Sequence, residues 1–191
     1  GSLGGWRSTT GGGFITGLGN NLSSRNRYQA GYDKGYEDAA HLIANLSRDK
    51  NGNINETIKI ITHSMGGVFG NGLQNGIKKY LSENPELARQ VKISLVAHFD
   101  PFQASDITAD KDIFTMQFLH RNAKGRDGGT GVNWLKNLGW LANQVVNGVD
   151  YFNEDEQKSK HGINTFFSNI SNLQEGSYKW NGSNWECINC K

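Results

Sequence analysis

The stretch that most constrains this chain is Glu56–Gly72, ETIKIITHSMGGVFGNG. Ile58, Ile60 and Ile61 form a short β-branched run, which favours an extended strand because branching at Cβ packs well on a pleated surface. Thr62-His63-Ser64-Met65-Gly66-Gly67 follows at once, and the residues beyond it carry a helical pattern. A chain that leaves a strand, reverses at one serine and enters a helix must turn tightly. Such a turn lifts the serine hydroxyl above the sheet edge and aims the next backbone N–H groups at the same point. It calls for very small side chains two positions either side of the serine. Gly66 supplies one, and Thr62 stands where the other belongs.

A length of 191 residues suits a single domain with a proper core. That domain spans 1–191, with a Gly-rich segment over 1–28 and a hairpin and tail over 176–191. The 25 glycines, about twice the usual share, gather at the start and in Gly125–Gly131, which reads as loop rather than core. A formal charge of +2 is close to neutral and does not point to nucleic acid as a partner. No apolar run approaches the roughly 20 residues of a membrane-spanning helix. The leading Gly1-Ser2 resembles a cloning remnant, which implies a domain cut from a larger protein. Cys187 and Cys190 form a C-x-x-C on a tail, whereas a redox pair belongs at a helix start after a strand. The five histidines show no metal-ligand spacing, so neither metal nor other cofactor is expected.

Along the chain, Phe14-Ile15-Thr16 is a weak strand candidate running into Gly17-Leu18-Gly19. Asp33–Ser47 reads as a helix with Tyr32, Tyr36, Ala39, Ala40, Ile43 and Leu46 on one buried face. Asp49–Asn53 reads as a turn. A strand is expected over Thr57–Thr62, a helix from Met65 to about Leu81, and a short segment at Glu86–Arg89. Further strands are expected at Val91–Phe99 and Ile113–Leu119. Strands separated by helices argue for an α/β architecture, a mostly parallel sheet with helices on both sides. A helix is expected over Asn133–Val149, with Trp140 projecting from it as a candidate lid or lipid contact. Glu154-Asp155-Glu156 reads as a solvated acidic turn, and Tyr178–Trp185 as a hairpin around Asn181-Gly182.

A serine hydroxyl needs a base to take its proton, and that base needs a carboxylate to hold its tautomer. In a parallel sheet every strand's C-terminal end opens onto one edge, so residues just after successive strands converge. Ser64 follows one strand and Asp100 the next, while His161 opens the last helix; the order Ser, Asp, His suits such a fold. Asp127, in the Gly-rich loop after the following strand, is the alternative acid, and His120 the alternative base. His63 reads as packing, and His98 as a residue that lines the site. The Met65 N–H, with one from Thr16–Leu18 and so centred on Gly17, forms the expected oxyanion hole.

Thr62–Gly67 is similar to the elbow of α/β-hydrolase lipases, and Ala97-His98-Phe99-Asp100-Pro101-Phe102 resembles the strand-end Asp-Pro of pancreatic-type lipases. Phe102-Gln103 with Gln117-Phe118-Leu119-His120 resembles lipase-like toxin domains at the C-termini of bacterial polymorphic toxins. The resemblance covers roughly residues 33–170. It implies a reduced α/β-hydrolase fold and a serine ester hydrolase (lipase, phospholipase or esterase) with Asp100 as its acid. It further implies a secreted or delivered effector that meets membrane lipid transiently and is held off by an immunity protein. A thioesterase or amidase of the same fold, and an inactive module that binds a partner, are the competing readings.

Overall fold

The computed structural model describes residues 23–120, 141, 143–155, 178–180 and 185–187. Strands β1 (Ile58–His63), β2 (Ile93–Phe99), β3 (Phe114–His120) and β4 (Tyr151–Asp155) lie side by side in that order, and every pair is parallel. The fold class is therefore α/β. Registry sets His63 beside Phe99, Phe99 beside Phe118, and Phe118 beside Asn153, so all four strands end on one edge. The first three strands fall within two residues of the expected bounds. β4 was not expected, and Glu154-Asp155 is strand rather than turn. Asn, Glu and Asp are poor strand formers; pairing with β3 and the packing of Tyr151 on Phe118, ring centroids 5.6 Å apart, outweigh that preference.

Helix α1 spans Ser24–Ala44, beginning nine residues before the expected start. Part of the Gly-rich segment is thus helical. The Ser23 hydroxyl accepts the Asn26 N–H at 3.2 Å, which caps a first turn that has no intrahelical acceptor of its own. Ala39 and Ile43 of the expected face are buried, but the stripe continues through Arg27, Gly31 and Gly35 instead of the tyrosines, and Tyr36 is 41% exposed. The reason lies in α2 (Gly66–Glu83), which runs alongside it in the same direction. A Cβ on Gly31 would sit 2.0 Å from the Phe69 carbonyl oxygen, and one on Gly76 would sit 2.1 Å from that of Tyr32. Backbone meets backbone here, and the tyrosines are displaced to the rim, where Tyr36 donates its hydroxyl hydrogen to Glu83 at 2.7 Å. After α2 comes a single turn, α3 (Pro85–Ala88).

Ala39 and Ile43 from α1 and Ile77 and Leu81 from α2 share one cluster with Ile58, Ile60 and Val96. Both helices therefore cover the same face of the sheet. The opposite face carries Ala97, Phe99, Met116 and Phe118, all buried, with the two phenyl rings stacked at 4.8 Å. Of the expected helices on both faces, the described residues include those on one.

Residues 143–149 are not helical, against the expected Asn133–Val149 helix. Gln117, fully buried on β3, donates its amide hydrogen to the Gln144 carbonyl and accepts the Val146 N–H, both at 2.8 Å. Asn147 pairs with 107–109 through its N–H to the Ile107 carbonyl and its carbonyl to the Ala109 N–H. Those bonds satisfy the backbone as an extended segment, so apolar spacing over 145–149 does not make a helix. Residues 133–140, with Trp140, lie outside the described residues. Asp49–Asn53 is a turn as expected: Asp49 accepts the N–H groups of Asn51 and Asn53, and these bonds hold its carboxyl below its usual range. The hairpin is also present, β5 (Tyr178–Trp180) pairing antiparallel with β6 (Trp185–Cys187).

Candidate functional site

Ser64 links β1 to α2 at φ 54°, a left-handed conformation that costs a non-glycine residue about 1–2 kcal/mol. Neighbouring backbone holds it there. The Ser64 N–H donates to the Phe99 carbonyl at 2.9 Å, and the Ser64 carbonyl accepts from Gly67 at 3.1 Å and Phe102 at 3.0 Å. Phe102 is fixed in turn by the buried Arg27, whose guanidinium lies 5.8 Å from its ring centroid and donates to Gln103 Oε1. Burial lowers the Arg27 pKa to about 10, which leaves it charged at neutral pH. Ser64 and Met65 are half-buried. Among the described residues no hydrogen bond reaches the Ser64 hydroxyl, and none takes up the Met65 N–H at the start of α2. An accessible hydroxyl therefore sits beside a helix N-terminus whose donors favour negative charge.

The turn is accommodated differently from what the sequence suggests. A Cβ on Gly66 would meet no described residue within 4 Å, so among the described residues no steric demand falls there. The crowded positions are Gly67, where a Cβ would come within 3.0 Å of Pro101, and Gly70, where it would come within 2.3 Å of Thr62 Cγ2. The glycine missing at 62 has its counterpart at 70, one helical turn into α2. Gly70→Ala is expected to destabilise by about 2 kcal/mol, and Thr62→Gly to remove most of that cost. A double-mutant cycle read by urea unfolding checks the coupling, and additive effects would contradict it.

Thr62 also carries a polar contact. Its hydroxyl is 2.7 Å from His98 Nδ1 beneath the turn, where His98 is 1% exposed. His98 supports the turn from inside rather than lining an open site, and it lies within β2 rather than at its end. Burial pushes its pKa down from 6.5 to about 4. Between those values the unfolded chain binds a proton that the folded chain does not, so stability falls as pH falls through that window. The expected loss is roughly 3 kcal/mol from pH 7 to pH 4, read as the difference in pH slope of unfolding between wild type and His98→Leu.

Asp100 follows β2 at φ 41° and is 2% exposed. Its own N–H donates to the Phe118 carbonyl at 2.8 Å, and the turn directs its carboxylate to the end of β3. There Oδ1 accepts the His120 N–H at 2.6 Å and Oδ2 lies 2.8 Å from His120 Nδ1. His120 is the last residue of β3 and its side chain is fully buried. A buried carboxylate without such donors would be strongly disfavoured.

Ser64, Asp100 and His120 thus occupy the ends of three adjacent strands. His161, Asp127 and Gly17 lie outside the described residues. The sequence ranked His120 only as an alternative base and did not anticipate its pairing with Asp100. The signal was present: two polar residues closing neighbouring parallel strands must meet at the sheet edge. Chemically, the arrangement offers a hydroxyl at Ser64 and a backbone N–H at Met65 that no described residue bonds, and a buried carboxylate bonded to imidazole. Comparison with protein-family models, curated proteins and solved structures gives no match to any of them.

Proposed function

We propose that this chain is a serine ester hydrolase built on a reduced α/β-hydrolase fold. Ser64 is the nucleophile, Asp100 the acid and His161 the base. His161 takes the Ser64 Oγ proton as Oγ bonds to the ester carbonyl carbon. The Met65 N–H, with a second donor near Gly17, stabilises the oxyanion. Collapse breaks the bond to the alkoxy oxygen, which leaves as the alcohol with the proton from His161. Water, deprotonated by His161, then attacks the acyl carbon; the carboxylic acid departs and Ser64 regains its proton. Asp100 accepts from His161 throughout and stabilises its cation.

The observation that carries the reading is Ser64 held at φ 54° between a parallel strand and a helix, with a buried, hydrogen-bonded Asp100 closing the next strand. β4 adds support, since it ends at Asp155, six residues before His161. A connection of that length spans at most about 20 Å. Lipid or phospholipid as the substrate, contact with a membrane surface, and an immunity protein as inhibitor follow from the likeness to lipase-like toxin domains alone.

The test uses the intact chain with a fluorophosphonate probe, short- and long-chain p-nitrophenyl esters, thioester and anilide analogues, and phospholipid vesicles. Labelling at Ser64 with ester turnover is the expected result. Preference for the thioester or anilide would make the chain a thioesterase or amidase. Absence of both labelling and turnover would leave a binding module in place of an enzyme.

A further inference from the structure

We infer that His120 is the positioning residue of the acid, holding both oxygens of Asp100 so that its carboxylate keeps one orientation. The inference rests on the proposed hydrolase reading and assigns His120 a role other than general base.

Three observations carry it. His120 binds Asp100 through two different groups, its backbone N–H on Oδ1 and its ring Nδ1 on Oδ2, at 2.6 and 2.8 Å. Two donors fixed on one residue set the carboxylate plane as well as its position. Next, the His120 side chain is fully buried, whereas a general base must reach the substrate's leaving group. Finally, although Ser64 and His120 are both described, no hydrogen bond joins the Ser64 hydroxyl to His120. A base in a triad stands within that reach of its nucleophile.

The backbone shows why such a device is needed. Asp100 enters its turn at φ 41°, which directs its side chain across to β3 instead of along its own strand. A carboxylate held through one oxygen alone could swivel about χ2. The second contact with His120 removes that freedom at the position where a small misplacement costs about 10²-fold in rate. The contact also fixes a tautomer, because an ionised carboxylate accepts only, and His120 Nδ1 must carry the hydrogen.

The experiment compares His120→Asn, His120→Gln, His161→Ala and Ser64→Ala in p-nitrophenyl ester turnover, with kcat and KM read separately and folding followed by thermal unfolding. The Asn amide nitrogen replaces Nδ1 and restores the bond to Oδ2, while the longer Gln places its amide beyond it. His120→Asn is expected to keep kcat within about tenfold of wild type. His120→Gln is expected to lose about 10²-fold in kcat with KM unchanged, and His161→Ala to match Ser64→Ala. His120→Asn as inactive as Ser64→Ala, with His161→Ala active, would make His120 the base and overturn the inference. Unchanged kcat in His120→Gln would overturn it too. A failed hydrolase reading shows earlier and elsewhere, as absence of turnover in wild type.

Discussion

Ser64→Ala is expected to lower kcat for ester hydrolysis by about 10⁴- to 10⁶-fold, with no measurable loss of stability. Covalent catalysis passes through Oγ, so deleting one oxygen removes the acyl-enzyme and leaves only what the oxyanion donors contribute. Stability is spared because no described group is hydrogen-bonded to that hydroxyl and the turn is fixed by backbone bonds from Phe99, Gly67 and Phe102. Kinetics and urea unfolding on the same preparation check both halves. Residual turnover within tenfold of wild type would exclude Ser64 as nucleophile. Asp100→Asn and Asp127→Asn, run beside it, assign the acid: a large loss confined to Asp127→Asn would move that role to the Gly-rich loop.

Gly31→Ala is expected to destabilise the fold by forcing the two helices apart. Its Cβ would lie 2.0 Å from the Phe69 carbonyl oxygen, a backbone atom that no side-chain rotation can move aside. The two helices must separate, and their shared cluster with β1 and β2 opens with them. Overpacking of this kind costs about 3 kcal/mol, and alanine's better helix propensity recovers about 1. A net loss of about 2 kcal/mol lowers the melting temperature by roughly 4–8 °C for a chain of this size. Gly66→Ala is the matched control, since its Cβ meets no described residue within 4 Å. Equal melting temperatures for the two variants would mean that the helices do not meet through backbone.

Sequence alone determined the features whose signal is local. β-branched and apolar runs located β1, β2 and β3, because a strand inside a parallel sheet is apolar whatever its neighbours. Ser64 between Ile61 and Val68 marked a strand–turn–helix junction, and the order of Ser64 and Asp100 on successive strand ends followed from parallel topology. Tertiary structure decided the features that depend on partners distant in the chain. α1 buries glycines rather than tyrosines because α2 approaches to backbone contact, and no periodicity in one helix records the distance to another. The 143–149 segment is extended because one amide, Gln117, satisfies its backbone, a bond between residues 27 apart in sequence. β4 forms from poor strand residues because β3 offers an edge. Gly70 allows a threonine at 62, and Asp100 meets His120, for the same reason: a side chain's role is set by what the fold brings within a few ångströms of it.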